Sequence, residues 1–246
     1  MGIWFIVLTA VIPALVLLYY IYKRDKYNRE PAFMLVRGFL YGVVATSVSL
    51  CFSMPLRSLG FFSDAPATWM DEVRVALFGA GIPEETAKLL MLWLLLRCNS
   101  YFNEHMDGVV YAVSVSLGFA ALENVMYVFS NLDNFFYVSV SRALLAIPGH
   151  FAFGVLMGYY YSLAHFDRMH NRRINLLLIW LAPVAAHTAF DALLMVMEVA
   201  SQLSVVLFTA FLYLVHRLRM VSSRHIDELL RRDEWQMGAA IFRKGS

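Results

Sequence analysis

Residues 71–97 read DEVRVALFGAGIPEETAKLLMLWLLLR, an apolar run of membrane-crossing length with Glu84, Glu85 and Lys88 at its centre. A charged side chain in the middle of a spanning helix costs about 2.5–3.5 kcal/mol on insertion scales. Such residues must therefore be paired, hydrated or used. The same contradiction recurs along the chain: Glu123, His150 and His187 each lie inside an apolar stretch, with Asp191 one helical turn past the last.

The composition agrees with a membrane protein. Hydrophobic residues make up 60% of the 246, against a usual 45–50% or so. Crossing the hydrocarbon core takes about 20 apolar residues, and segments of that kind run over 3–22, 32–55, 71–97, 108–130, 138–165, 175–196 and 201–217. The reading is an all-α polytopic membrane protein of about seven transmembrane helices. Residues 1–217 form one transmembrane domain, and 218–246 form a basic tail. The first segment has no basic start and is followed by a basic cluster, which predicts a retained anchor.

Charge sets the direction. Lys23, Arg24, Lys26 and Arg29, then Arg168, Arg172 and Arg173, then the tail, mark the cytoplasmic side. The 56–70 and 131–137 loops are poor in Lys and Arg, so the N-terminus is expected outside and the C-terminus in the cytoplasm. That rule accounts for the basic tail without nucleic-acid binding. Cys51 and Cys98 fall near opposite membrane faces, so no disulfide is expected.

Four spans then supply one candidate polar site. Glu84 and Lys88 are four residues apart and share a helix face, with Glu85 about 100° round toward another neighbour. Gly118 and Ala120-Ala121 precede Glu123-Asn124, allowing close helix approach, and Asn124 offers amide hydrogen bonds. Gly154 and Gly158 follow His150 at four-residue spacing, so another backbone can come near that face. Asp191 lies four residues after His187 and can orient its imidazole. Pro83, Pro148 and Pro183 each precede a candidate by four positions or fewer, and proline opens a helix locally. Irregular backbone at membrane depth is tolerated where it lines a hydrated cavity.

These residues in this order resemble the PrsW family of intramembrane proteases. The matching runs are Glu84-Glu85-Thr86-Ala87-Lys88, Phe119 to Asn124, His150-Phe151 and His187-Thr188-Ala189-Phe190-Asp191, with Asp107-Gly108-Val109-Val110-Tyr111 also similar. The resemblance covers about residues 80–195. It implies an endopeptidase of the bacterial inner membrane, related to the CaaX-processing and bacteriocin-processing proteases, with a membrane protein such as an anti-sigma factor as substrate. Glu84, Glu85, Glu123, His150 and His187 are the expected catalytic residues, supported by Lys88, Asn124 and Asp191.

Two mechanisms fit. In the preferred one, Glu84 or Glu85 activates water and His150, His187 or Asn124 stabilises the oxyanion. In the other, His150, His187 and Glu123 bind a divalent ion such as zinc. Outside hydrolysis, a non-catalytic scaffold and a proton-coupled transporter use the same residue types.

Overall fold

The computed structural model describes residues 3–167 and 171–244, so Arg168 of the expected basic loop lies outside the described residues. Among the described residues the chain makes seven helical passes. These are α1 (Ile3–Arg24), α2 (Ala32–Ser58), a divided pass of α3 (Trp69–Arg74) and α4 (Ile82–Leu96), α5 (His105–Ser130), a second divided pass of α6 (Phe135–Leu144) and α7 (Ala146–Phe166), α8 (Arg172–Val199) and α9 (Ser204–Lys244). Six passes are long and apolar enough to cross a membrane. The exception is α3–α4, which carries the charged residues and is split by a π-helical turn over Val75–Gly81.

Helix α5 is the axis of the bundle, buried along most of its length. Small residues make this possible. A Cβ placed on Gly158 of α7 would lie 2.4 Å from the carbonyl oxygen of Gly108, so α5 and α7 touch backbone to backbone. The outer surface is the reverse of a water-soluble one: Trp4, Tyr137 and Val205 are 77%, 75% and 78% exposed. Such a belt needs lipid around it.

The sequence reading is amended at two places. The expected span 138–165 is two helices, because Pro148 has no N–H to return to the Leu144 carbonyl and the helix breaks at Leu145. The helix of the expected span 201–217 does not stop there but runs on as α9 to Lys244. Its far half is packed: Ile226 and Leu229 join a buried cluster with Ile21 of α1 and Met106 of α5. Asp227 pairs with Arg24, and Arg232 with Asp167 at 2.6 Å.

Both cysteines are free and exposed, Cys51 on α2 and Cys98 just past α4. The expected orientation makes Cys51 react first with an impermeant maleimide added outside, and Cys98 only after the cytoplasmic face is opened. The reverse order would invert the topology.

Candidate active site

The site begins with Lys88. Its ammonium has three protons and three partners: Glu85 Oε1 at 2.8 Å, His150 Nδ1 at 3.1 Å and Glu84 Oε2 at 3.4 Å. The group is 1% exposed and lies 4.0 Å from the Phe119 ring centroid, a cation–π contact. Lys88 donates to His150 Nδ1, and His150 Nε2 lies 2.9 Å from Glu123 Oε2; with no ion bound the imidazole proton sits between those two, and an ion held by His150 would take its place. Glu85 meets His187 of α8, a neighbour on another helix as its helical angle suggests, and the long Lys88 side chain reaches both carboxylates.

The π-helical turn and Pro83 set up this arrangement. A π turn widens the helix by one residue, and such bulges recur at functional sites. Gly81, at its end, lets α8 approach so closely that a Cβ there would sit 2.2 Å from Thr188 Oγ1. Trp180 Nε1 of α8 donates to Thr86 Oγ1 at 2.9 Å, fixing the register. His187 thereby reaches Glu85, with Nδ1 at 2.8 Å from Oε1, while Nε2 lies 3.2 Å from Asp191 Oδ2 and 3.9 Å from Glu84 Oε2. Phe153 stacks on the ring at 4.7 Å between centroids. His150 and His187 stand edge to face, 5.2 Å apart.

Arg142 completes the cluster, and the sequence reading missed it. It comes from α6, donating to Glu123 Oε2 at 2.7 Å and Asn124 Oδ1 at 2.6 Å, and lies over Tyr127. Its signal was available, since a basic residue inside the apolar 138–165 stretch is the same contradiction that marks Glu84. Asn124 also donates to the Ala10 carbonyl of α1 at 3.2 Å.

A cavity of about 200 Å³ opens among these groups, lined by Glu84, Glu123, Arg142, His150, His187 and Asp191 with Tyr127, Phe153 and Phe190. At about 30 Å³ per molecule it has room for several waters. Glu85 and Lys88 stand behind it, which separates the two adjacent glutamates by role: Glu84 faces the space, and Glu85 is fully buried.

A divalent cation fits this set. Ligand atoms of Glu84, His150 and His187 lie within 4.8 Å of one another. Four carboxylates (Glu84, Glu85, Glu123, Asp191) face two cations (Lys88, Arg142), an excess of negative charge that a divalent ion offsets. The carboxylate in this group is Glu84, where the sequence pattern suggested Glu123.

A family model described as PrsW family intramembrane metalloprotease matches residues 30–216. This chain belongs to the PrsW family. Its sequence is similar to those of proteins named Protease PrsW. That of Clostridioides difficile (strain 630) is 35% identical over 191 residues, covering 77% of this chain and 79% of that protein. That of Bacillus subtilis (strain 168) is 32% identical over 189 residues, covering 77% and 82%. No solved structure matches the chain. The PrsW match takes in every residue of the polar cluster except the Ala10 carbonyl on α1.

Proposed function

We propose that this chain is an intramembrane endopeptidase of the bacterial inner membrane, in which Glu84, His150 and His187 hold a divalent metal ion. The observation that carries the proposal is the grouping of those three side chains at the wall of a polar cavity inside an apolar bundle. When bound, such an ion polarises the scissile carbonyl and lowers the pKa of a coordinated water. Of the two bases of the metal-free scheme, Glu85 is occupied twice, by Lys88 and His187, and does not line the cavity, while Glu84 does line it but is grouped with His150 and His187.

The chain's own groups then divide the work. Glu123 faces the cavity and is the general base, taking the proton of the attacking water and returning it to the leaving amine. Arg142, also at the cavity wall, donates to that carboxylate and balances its charge. Glu85 accepts from His187 Nδ1, fixing the ring so that Nε2 points into the cavity. Asp191 supports His187 from the next turn. The substrate is a membrane-embedded or membrane-adjacent peptide segment, with an anti-sigma factor the first class to examine.

Metal removal tests the reading. Treating the purified protein with a zinc-selective chelator should abolish cleavage of a membrane-protein substrate, and added zinc should restore it. Elemental analysis should find bound metal in wild type and a loss in His187→Ala. Full turnover by metal-free protein would return the mechanism to the glutamate scheme.

A further inference from the structure

Two cavities meet where α6 gives way to α7. One is the polar cavity described above; the other, of about 550 Å³, is a groove between α1, α7 and α9. Leu145 and Phe190 line both, so they form the wall between them. A further cavity of about 550 Å³ between α4, α7 and α8 shares no lining residue with the polar one among the described residues. Helix α9 measures the groove. Phe211 packs on Phe190 at 4.9 Å between ring centroids. Ser222 lines the groove about 16 Å further along that helix, at 1.5 Å per residue.

The chemistry changes along this length. Leu17, Phe151, Ala152 and Val215 make apolar walls, whereas Arg219, Ser222 and Ser223 give a polar end. Ser222 is 5% exposed, and its hydroxyl has no hydrogen-bond partner. A serine within a helix can donate to the carbonyl one turn back. A buried hydroxyl that makes no such bond points to an acceptor from outside the chain. Arg219 is exposed and makes no ion pair among the described residues. The rim opens to the apolar belt, since Tyr20 of α1 and Leu144 of α6 line the groove and are 45% and 68% exposed.

We propose, on the strength of the peptidase reading, that this groove seats the substrate as an extended apolar segment of a membrane-spanning peptide. The segment enters from lipid past Tyr20 and Leu144 and runs between Ser222 and the polar cavity. An extended chain rises about 3.3 Å per residue, so about five substrate residues fill that distance. Lipid cannot satisfy the backbone carbonyls of an extended chain. Ser222 donates to one of them, and Arg219 pairs with an acidic side chain where the apolar run ends. A phospholipid would suit the same walls and the same arginine, but its binding does not require a groove that ends on the polar cavity. That continuity selects the peptide. Leu145 lies between α6 and α7, outside both helices, so it can turn aside to join the two spaces. Phe190 stays fixed between Phe153 and Phe211.

Disulfide trapping tests this on the full-length protein in phosphatidylcholine vesicles, with Cys51 and Cys98 replaced by serine. The probe is a synthetic leucine–alanine peptide of bilayer-spanning length, with a cysteine inside its apolar run and an aspartate at the end of that run. Trapping should be strong from Leu17→Cys and Val215→Cys in the groove, and weak from Tyr213→Cys, which is 64% exposed on the same helix. Ser222→Ala and Arg219→Gln should each weaken trapping about two- to tenfold, the worth of one hydrogen bond. Because Arg219 is exposed, its variant guards against Ser222→Ala merely disturbing the packing. Trapping should persist in Glu84→Gln. Groove-specific trapping without metal-dependent cleavage would uphold the peptide site while removing the peptidase reading. Metal-dependent cleavage with equal trapping from Tyr213→Cys and Val215→Cys would overturn the groove and leave the peptidase. A phospholipid that co-purifies and is released by Arg219→Gln/Ser222→Ala, with no peptide trapped at Val215→Cys, overturns it as well.

Discussion

Replacing Lys88 with methionine is expected to destabilise the fold by about 3–5 kcal/mol, the usual cost of removing one partner from a buried ion pair. Lys88 spends all three ammonium protons, on Glu84, Glu85 and His150, and its charge lies over Phe119. Without it Glu85, 0% exposed, keeps only His187, and the His150 imidazole loses the donor that sets its tautomer. Lys88→Arg should not rescue, because a planar guanidinium cannot direct three protons to three converging acceptors. The double variant Lys88→Met/Glu85→Gln should recover part of the loss, since it removes the stranded charge along with its partner. Thermal unfolding in detergent measures all three. A wild-type midpoint for Lys88→Met would show that the pairs contribute nothing and that Lys88 has another purpose.

The spans were legible because lipid imposes a length and a composition on each of them. The break at Leu145 was not, since both sides of it are equally apolar and Pro148 reads as an opening within one helix as readily as a boundary between two. The continuation of α9 was hidden for a different reason. The charges on its far half look like a solvated tail until their partners are known, and those partners sit on distant parts of the chain. Arg24 takes Asp227, and the backbone N–H groups of His105 and Met106 take Asp233 at 2.9 Å. The polar site was legible as a list, because each member contradicts its apolar surroundings. Its internal wiring was not. Sequence spacing gives the face a side chain leaves from, but not how far a lysine reaches, nor that Arg142 would cross from α6 to bind Glu123.

That wiring separates two adjacent glutamates that sequence treats alike. Glu84→Gln should lower cleavage by about 10²-fold or more, since losing even an outer-shell partner of a metal ligand costs about 10–100-fold and Glu84 is itself a proposed ligand. Its folded yield should stay near wild type, because Glu84 borders the cavity at 14% exposure and its contact with Lys88 is the longest of that group's three. Glu85→Gln should lose activity and stability together. Its Oε1 is the shared acceptor for Lys88 and His187, and an amide in that place removes the charge that holds both. The measurement is a comparison of new protein N-termini in host membranes expressing wild type, Glu84→Gln or Glu85→Gln, alongside thermal unfolding of each purified protein. Termini that vanish with a well-folded Glu84→Gln, and that map to membrane-proximal segments, would identify both the peptidase activity and its substrates. Termini unchanged in Glu84→Gln would remove that residue from the chemistry and leave the metal proposal without its carboxylate. If no termini depend on either glutamate while both variants stay folded, the polar cluster belongs to a scaffold or a proton-coupled transporter. Uptake lost in the same variants would then choose between those two.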